Sequence, residues 1–189
     1  MSMPQENEYT LADVLKWDES IRAELIEGFP VMMAPPRRIH QGIVSELNRQ
    51  LANFLKGKKC SVYPAPFAVR LFEKEGDSPY DVDTMVEPDI SVVCDPGKLD
   101  DTGCKGAPDF IIEILSPSSL RHDRVTKFNL YRRAGVREYW IVDPDNKTVE
   151  TYVLENGGYV ARERALEEES LPVSVLEGCV IELKDVFGQ

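Results

Sequence analysis

Positive charge is scarce in this chain: 22 Lys and Arg stand against 33 Asp and Glu over 189 residues, a formal net charge of −11. That deficit excludes a histone-like binder, a polybasic membrane peptide, or any protein that grips nucleic acid chiefly through bulk positive charge. Histidine and cysteine are nearly as scarce, at 2 and 4. Cys60, Cys94, Cys104 and Cys179 form no Cys-x-x-Cys pair, and His40 and His122 stand far apart. The closely spaced ligands of a structural zinc site are therefore missing. Met1 to Tyr9 is polar and acidic rather than a signal peptide, so four scattered cysteines read as buried or free thiols in a reducing cytosol. No apolar run approaches the roughly 18–20 residues of a membrane span. Repeats and low-complexity tracts are also missing. What remains is a cytoplasmic globular protein, consistent with 42 % hydrophobic and 29 % charged residues. The length suits one domain over residues 1–189, able to bury about 70 % of its unfolded surface.

Hydrophobic periodicity then places the elements. Thr10 to Trp17 predicts a short amphipathic helix capped by Thr10. Ala23–Glu27 and Val31–Ala34 predict two strands joined through Gly28-Phe29-Pro30. From Arg38 to Lys56, the apolar residues Ile39, Ile43, Val44, Leu47, Leu51 and Phe54 recur at helical spacing. Ser61–Tyr63 and Phe67–Phe72 read as strands. Ile90–Val93 and Phe110–Leu115 are almost continuously apolar and β-branched, the mark of central strands covered on both faces. Ser116 to Ser119 breaks that run and caps a helix from about Leu120 to Ala134, ended by Gly135. A strand from Arg137 to Val142 and a hairpin turning at Asn156-Gly157-Gly158 follow. The order predicts an α/β or α+β domain, a mixed sheet flanked by helices, with its core over about 9–160 and a strand and short-helix extension over 161–189.

Polar residues in apolar places carry the functional signal. At about 100° per residue, Leu120, Asp123, Lys127, Leu130, Tyr131 and Ala134 share one helical stripe, so Asp123 and Lys127 turn toward the sheet. The bland reading is an exposed-edge Asp123–Lys127 pair with the lysine stem lying on apolar surface. Glu113 argues against it, because a carboxylate inside Phe110-Ile-Ile-Glu-Ile-Leu115 is costly unless it is paired, protonated or metal-bound. Asp89 poses the same problem at the head of Ile90-Ser-Val-Val93. Two carboxylates on neighbouring strands suit Mg²⁺, which prefers oxygen ligands and keeps several waters. A nearby lysine can orient one of those waters or neutralise developing charge.

The stretch Pro88-Asp89, Glu113-Ile-Leu and Lys127 resembles the PD-(D/E)xK nuclease superfamily, the restriction-endonuclease-like fold. More closely, the chain is similar to the Uma-two family, long carried as a domain of unknown function. The resembling segments are Glu24-Leu-Ile-Glu-Gly28, His40, Glu87-Pro-Asp-Ile-Ser-Val-Val93, Pro108-Asp-Phe-Ile-Ile-Glu-Ile-Leu-Ser-Pro117, Asp123-Arg-Val-Thr-Lys127 with Tyr131, and Gly135-Val-Arg-Glu-Tyr-Trp-Ile-Val-Asp-Pro144. The resemblance implies that Asp89 and Glu113 bind Mg²⁺ or Mn²⁺ and that DNA is the substrate. In the superfamily pattern the lysine follows the second acid by two residues. Leu115 stands there, and the resemblance implies that Lys127 has taken over the role from the next helix.

Three supporting residues have double readings. His40 sits on the apolar stripe of the long helix, either as a core histidine or as a phosphate contact and proton shuttle. Glu24 is a further acid for the site or an ordinary strand residue, and Tyr131 is a substrate contact or packing. Glu87 and Asp83 read as parts of a solvated loop. The loop from Gly97 to Gly106 lacks a phosphate-cradling pattern, which argues against a nucleotide cofactor. Arg37, Arg38, Lys56, Lys58, Lys59, Arg121, Arg124, Arg132 and Arg133 could form a basic rim, and a homodimer through the apolar terminal hairpin would double it. The leading expectation is a Mg²⁺-dependent DNA endonuclease. Its competitors are a catalytically silent nuclease fold that binds nucleic acid or a protein, and a metal-dependent hydrolase of another substrate.

Overall fold

A computed structural model describes residues 8–18, 21–117 and 119–188 of the chain. The polar N-terminal residues 1–7 and Ser118 of the expected helix cap lie outside the described residues. The order begins with α1 (Leu11–Val14), β1 (Ala23–Ile26), β2 (Phe29–Met32) and the long helix α2 (Arg38–Leu55). Strands β3 (Ser61–Pro64), β4 (Val69–Arg70), β5 (Met85–Val86), β6 (Ile90–Val93), β7 (Leu99–Asp100), β8 (Gly103–Lys105) and β9 (Phe110–Ile114) follow. A stretch of wide π turns, His122–Lys127, leads directly into α3 (Phe128–Ala134). The chain closes with β10 (Glu138–Asp143), the hairpin β11 (Thr148–Glu155) and β12 (Gly158–Leu166), then β13 (Ser170–Pro172), β14 (Val180–Glu182) and α4 (Leu183–Phe187).

The strands divide into two six-stranded sheets, ordered β2-β1-β5-β4-β8-β7 and β12-β11-β10-β9-β6-β3, plus the small pair β13-β14. Both large sheets are mixed, because β9 pairs β10 and β4 pairs β8 in parallel while their other pairings are antiparallel. The α+β architecture expected from the sequence is present. The second large sheet is the scaffold of the molecule. Along β9, Phe110, Ile112 and Ile114 pack with Ile43, Leu47 and Leu51 of α2 in one core, while Ile111 and Leu115 pack with Leu130 and Tyr131 of α3 in another. This period of two is the ordinary alternation of a pleated strand covered on both faces. It also sends Glu113 to the α3 side.

The strand and short-helix segment beyond residue 160 sends Leu171, Ile181, Leu183 and Val186 into the α2 core. Several expectations need correction. The strand expected over Phe67–Phe72 shrinks to Val69–Arg70. Leu120 leaves the inward stripe and is 48 % exposed, because the π turns that follow it abandon the 100° spacing on which that stripe was drawn. Gly135 ends α3 as expected, with φ at 90°, the left-handed conformation that favours glycine. The hairpin turn also forms, with Glu155 opposite Gly158 across Asn156-Gly157.

Cysteine chemistry differs too. Cys60 and Cys94 are joined as a disulfide, and only Cys104 and Cys179 are free, both buried. The cause is register: Ser61 pairs Val93 across β3 and β6, so the residues one step outward meet. That register is invisible in the spacing of cysteines along the chain. The bond closes a segment of 34 residues, and in the chain-entropy picture a loop of that size stabilises the fold by about 3–4 kcal/mol. Cys60→Ala with Cys94→Ala should lower stability by an amount of that order in urea denaturation. Thiol titration of unreduced, denatured protein should count two reactive thiols, and a count of four would refute the pairing.

Candidate active site

The residues singled out from the sequence converge at one end of α2. Extending the β6–β9 ladder one step beyond the Ile90–Ile112 pair brings Asp89 opposite Glu113. The Ile114 amide donates to Asp89 Oδ2 at 2.8 Å, and the Asp89 amide lies 3.4 Å from Glu113 Oε2. Strand pairing thus sets the two carboxylates side by side. The π turns then carry Lys127 beneath them. Its Nζ donates to Glu113 Oε1 at 2.8 Å and lies 2.8 Å from Glu24 Oε1 on β1. The lysine bonds these two acids and not Asp123, so the bland Asp123–Lys127 reading fails. Tyr131, one turn later, donates its hydroxyl to Glu113 Oε1 at 2.6 Å. His40, in the first turn of α2, places Nε2 3.2 Å from Asp89 Oδ2. All six of the residues named in advance therefore meet.

Their electrostatics follow from burial. Glu24, Glu113 and Asp123 are each only 3 % exposed. Burial pushes Glu113 well above the usual carboxylate range; Lys127 pulls it down, but the neighbouring charges of Asp89, Asp123 and Glu24 add to the rise. Burial would raise Glu24 as well, yet Lys127, His122 and the Glu87 amide outweigh it and hold this carboxyl at about 2. The asymmetry has a simple origin, since one ammonium serves two buried acids and only one of them lies against Asp89. Lys127 resists the burial that would neutralise it, because Glu113, Glu24 and Asp123 surround it and raise its pKa. Burial also keeps Tyr131 a neutral phenol, and so a donor. For His40, burial lowers the pKa, but hydrogen bonding to Asp89 and its charge win and the net shift is upward.

The sequence reading missed other members. His122 Nε2 lies 3.6 Å from Glu24 Oε2; its only signal was adjacency to Asp123. Glu87 is no solvated loop residue: its amide fixes Glu24 at 2.9 Å and its carboxylate pairs with Arg22 at 2.6 Å. Asp83, by contrast, is exposed as expected. The basic rim does not assemble. Of its nine residues only Arg37 lines the cavity above the carboxylates, joined there by Arg22. Arg124 pairs with Glu150, Arg133 with Glu27, and Lys58 lies over Phe54. Lys56, Lys58 and Lys59 stand at the far end of an 18-residue helix, about 27 Å long at 1.5 Å per residue.

Asp89 and Glu113 are the residues that could hold a divalent cation. Side-chain donors occupy Glu113 Oε1 and Asp89 Oδ2, and the other oxygen of each carboxylate has no side-chain donor among the described residues. Two hard oxygen ligands beside an excess of buried negative charge fit Mg²⁺. Among the described residues, no group of three or more His, Cys, Asp or Glu is arranged to hold a metal ion, so water or substrate oxygens would complete the shell.

Residues 11–184 match the family model Uma2, described as "Putative restriction endonuclease". An uncharacterized protein of Synechocystis sp. is 26 % identical over 171 residues, covering 86 % of this chain and 85 % of its own length. The chain also resembles the 1.96 Å crystal structure of "a putative nuclease belonging to DUF820" from Anabaena variabilis ATCC 29413. The TM-score is 0.72 at 24 % identity, over 95 % of this chain and 97 % of that one. At that identity the likeness is one of fold. No helix among the described residues is long and apolar enough to cross a membrane.

The lowered pKa of Glu24 makes a stability prediction. A carboxyl at about 2 in the folded state, against an ordinary value near 4.3, contributes stability that is present above the ordinary value. It is lost as pH falls toward 2. Glu24→Gln should therefore flatten the loss of stability between roughly pH 4.5 and 2, read by urea denaturation at several pH values. An acid limb identical to that of the wild type would contradict the ion pair with Lys127.

Proposed function

The chain belongs to the Uma2 family, and from that membership and the site geometry we propose that it hydrolyses phosphodiester bonds of DNA as a Mg²⁺-dependent endonuclease. One observation carries the reading: Asp89 and Glu113 lie side by side at the floor of a cavity of about 520 Å³, with the Lys127 ammonium 2.8 Å from Glu113. A bound Mg²⁺ would supply Lewis-acid stabilisation of the phosphate and a water of lowered pKa. Asp89 and Glu113 would hold it. Lys127 has three N–H donors, two of them directed at Glu24 and Glu113, and the third serves to orient the attacking water. Tyr131 and Lys127 together fix Glu113 Oε1, so the carboxylate cannot swing. His40 steadies Asp89 and stands at the phosphate side, where it can give a proton. In the reaction a water oxygen attacks phosphorus, the bond to the leaving sugar oxygen breaks, and that oxygen takes up a proton.

The closed Lys127 ion pair favours a second reading, in which the fold is catalytically silent and the charges serve only to hold it together. Metal binding separates the two. A nuclease site should be stabilised by Mg²⁺, with thermal midpoint rising as concentration passes Kd, and that rise should vanish in Asp89→Asn and Glu113→Gln. Cleavage of supercoiled plasmid should fall at least about 100-fold in both variants, on the scale of losing one preorganised electrostatic group. Wild-type protein that cuts no supercoiled, linear or single-stranded DNA with Mg²⁺ or Mn²⁺, and gains no stability from either, would leave the silent reading standing.

A further inference from the structure

The cavity has a face that the carboxylate chemistry does not use. The end of β2 and its connection to α2 contribute Met32, Met33, Ala34, Pro35 and Pro36, and Pro66 adds to them. Met32 is 53 % exposed, and Ala34, Pro35, Pro36 and Pro66 are exposed as well. These side chains belong to none of the three buried cores. An apolar ledge beside a phosphodiester site is an odd wall for a duplex, whose outer surface is phosphate and sugar. It is a natural wall for an unstacked base, which apolar side chains can cover.

Depth and charge point the same way. Glu24, Glu113 and Asp123 are buried, and a cavity of about 520 Å³ lies in the range that encloses a small molecule, room for a nucleotide but not for both strands. Its lining sets three fixed cations, Arg22, Arg37 and Lys127, against five carboxylates, Glu24, Glu87, Asp89, Glu113 and Asp123. Lys127 is engaged by acids and Arg22 by Glu87, while Arg37 has no carboxylate partner among the described residues. A surface so poor in cations disfavours the duplex, which carries a charge every ~1.7 Å against ~3.4 Å for one strand.

We propose that the site takes single-stranded DNA. An unpaired base lies on the Met32–Pro36 ledge and Pro66, an adjoining phosphate lies against Arg37 at the first turn of α2, and the scissile phosphate reaches Asp89 and Glu113. This rests on the nuclease reading above and narrows its substrate class. Binding and cleavage are therefore measured apart. Fluorescence anisotropy, with Ca²⁺ in place of Mg²⁺, compares a short labelled single strand, the same strand with a central abasic residue, and its blunt duplex. Gel assays with Mg²⁺ follow cleavage of the same three oligonucleotides.

The expected result is single-strand binding about 10-fold tighter than duplex binding, weakened about 5-fold by the abasic residue, the low end of what a stacked base contributes. Met32→Ser with Met33→Ser should weaken single-strand binding by a similar factor while abasic binding changes little. Unchanged thermal unfolding of that variant would confirm that the fold is intact. Duplex bound and cut as well as single strand, or an abasic strand bound as tightly as the intact one, overturns the proposal and leaves the nuclease reading in place. Single-strand preference in binding with no cleavage of any oligonucleotide supports the ledge and refutes the nuclease reading. No binding to any of the three overturns both.

Discussion

One ammonium group joins the two large sheets. Glu24 stands on β1 of one sheet and Glu113 on β9 of the other, and Lys127 bonds both at 2.8 Å from the turn that enters α3. Desolvating three charges is expensive, so this knot is poor evidence of stability in itself. Its value is in what breaking it would do. Losing one partner leaves an uncompensated buried charge, a cost of about 3–5 kcal/mol, and it would free Glu113 from its fixed position beside Asp89. The ion pairs that bridge the sheets, beside the apolar core the sheets share, therefore also fix the geometry of the carboxylates. A hydrophobic triad could pack the same space, but it could not hold a carboxylate pair poised for a cation.

What was legible in the sequence was legible for a physical reason. Glu113 stood out because a strand covered on both faces has no place for an unpaired carboxylate, and Lys127 because it fell on an apolar stripe. His40 was marked by the same argument on α2. The rest depends on long-range register, which no local period encodes. Cys60 meets Cys94 only because Ser61 pairs Val93, and Glu24 reaches Lys127 only because the first sheet lies over α3. The π turns are a subtler case. A regular 100° stripe placed Asp123 and Lys127 inward correctly, yet placed Leu120 there as well, because the wide turns shift the phase only near the start of the helix.

The lysine's place in the chain follows from those turns. Where the superfamily pattern has a lysine two residues after the second acid, on the same strand, this chain has Leu115, which fills the α3-side core. A side chain two positions along a strand points to the same face as Glu113, so a lysine there would also have faced α3. Lys127 reaches that face from the helix side, where it also bonds Glu24 on the other sheet. Leu115 fills the core while Lys127 bridges the sheets. The consequence is that the position of the ammonium depends on how α3 begins, and the π turns at His122–Lys127 set that beginning.

The net charge of −11 takes on a different meaning once its distribution is known. Three of the basic residues that might have offset it for a DNA-binding face, Arg124, Arg133 and Lys58, are engaged elsewhere, on Glu150, Glu27 and Phe54. Negative charge is instead concentrated at the cavity floor, where Asp89, Asp123 and Glu24 all oppose ionisation of Glu113. A polyanion approaching that floor meets repulsion that only a cation can relieve. On the proposed function, substrate and metal binding are then coupled by charge: each lowers the cost of the other. The order follows from charge, because a cation is drawn to the acidic floor that repels a phosphate until the cation is there. The acidity that argued against nucleic acid at the level of the whole chain becomes, on that proposal, the reason for metal to bind first.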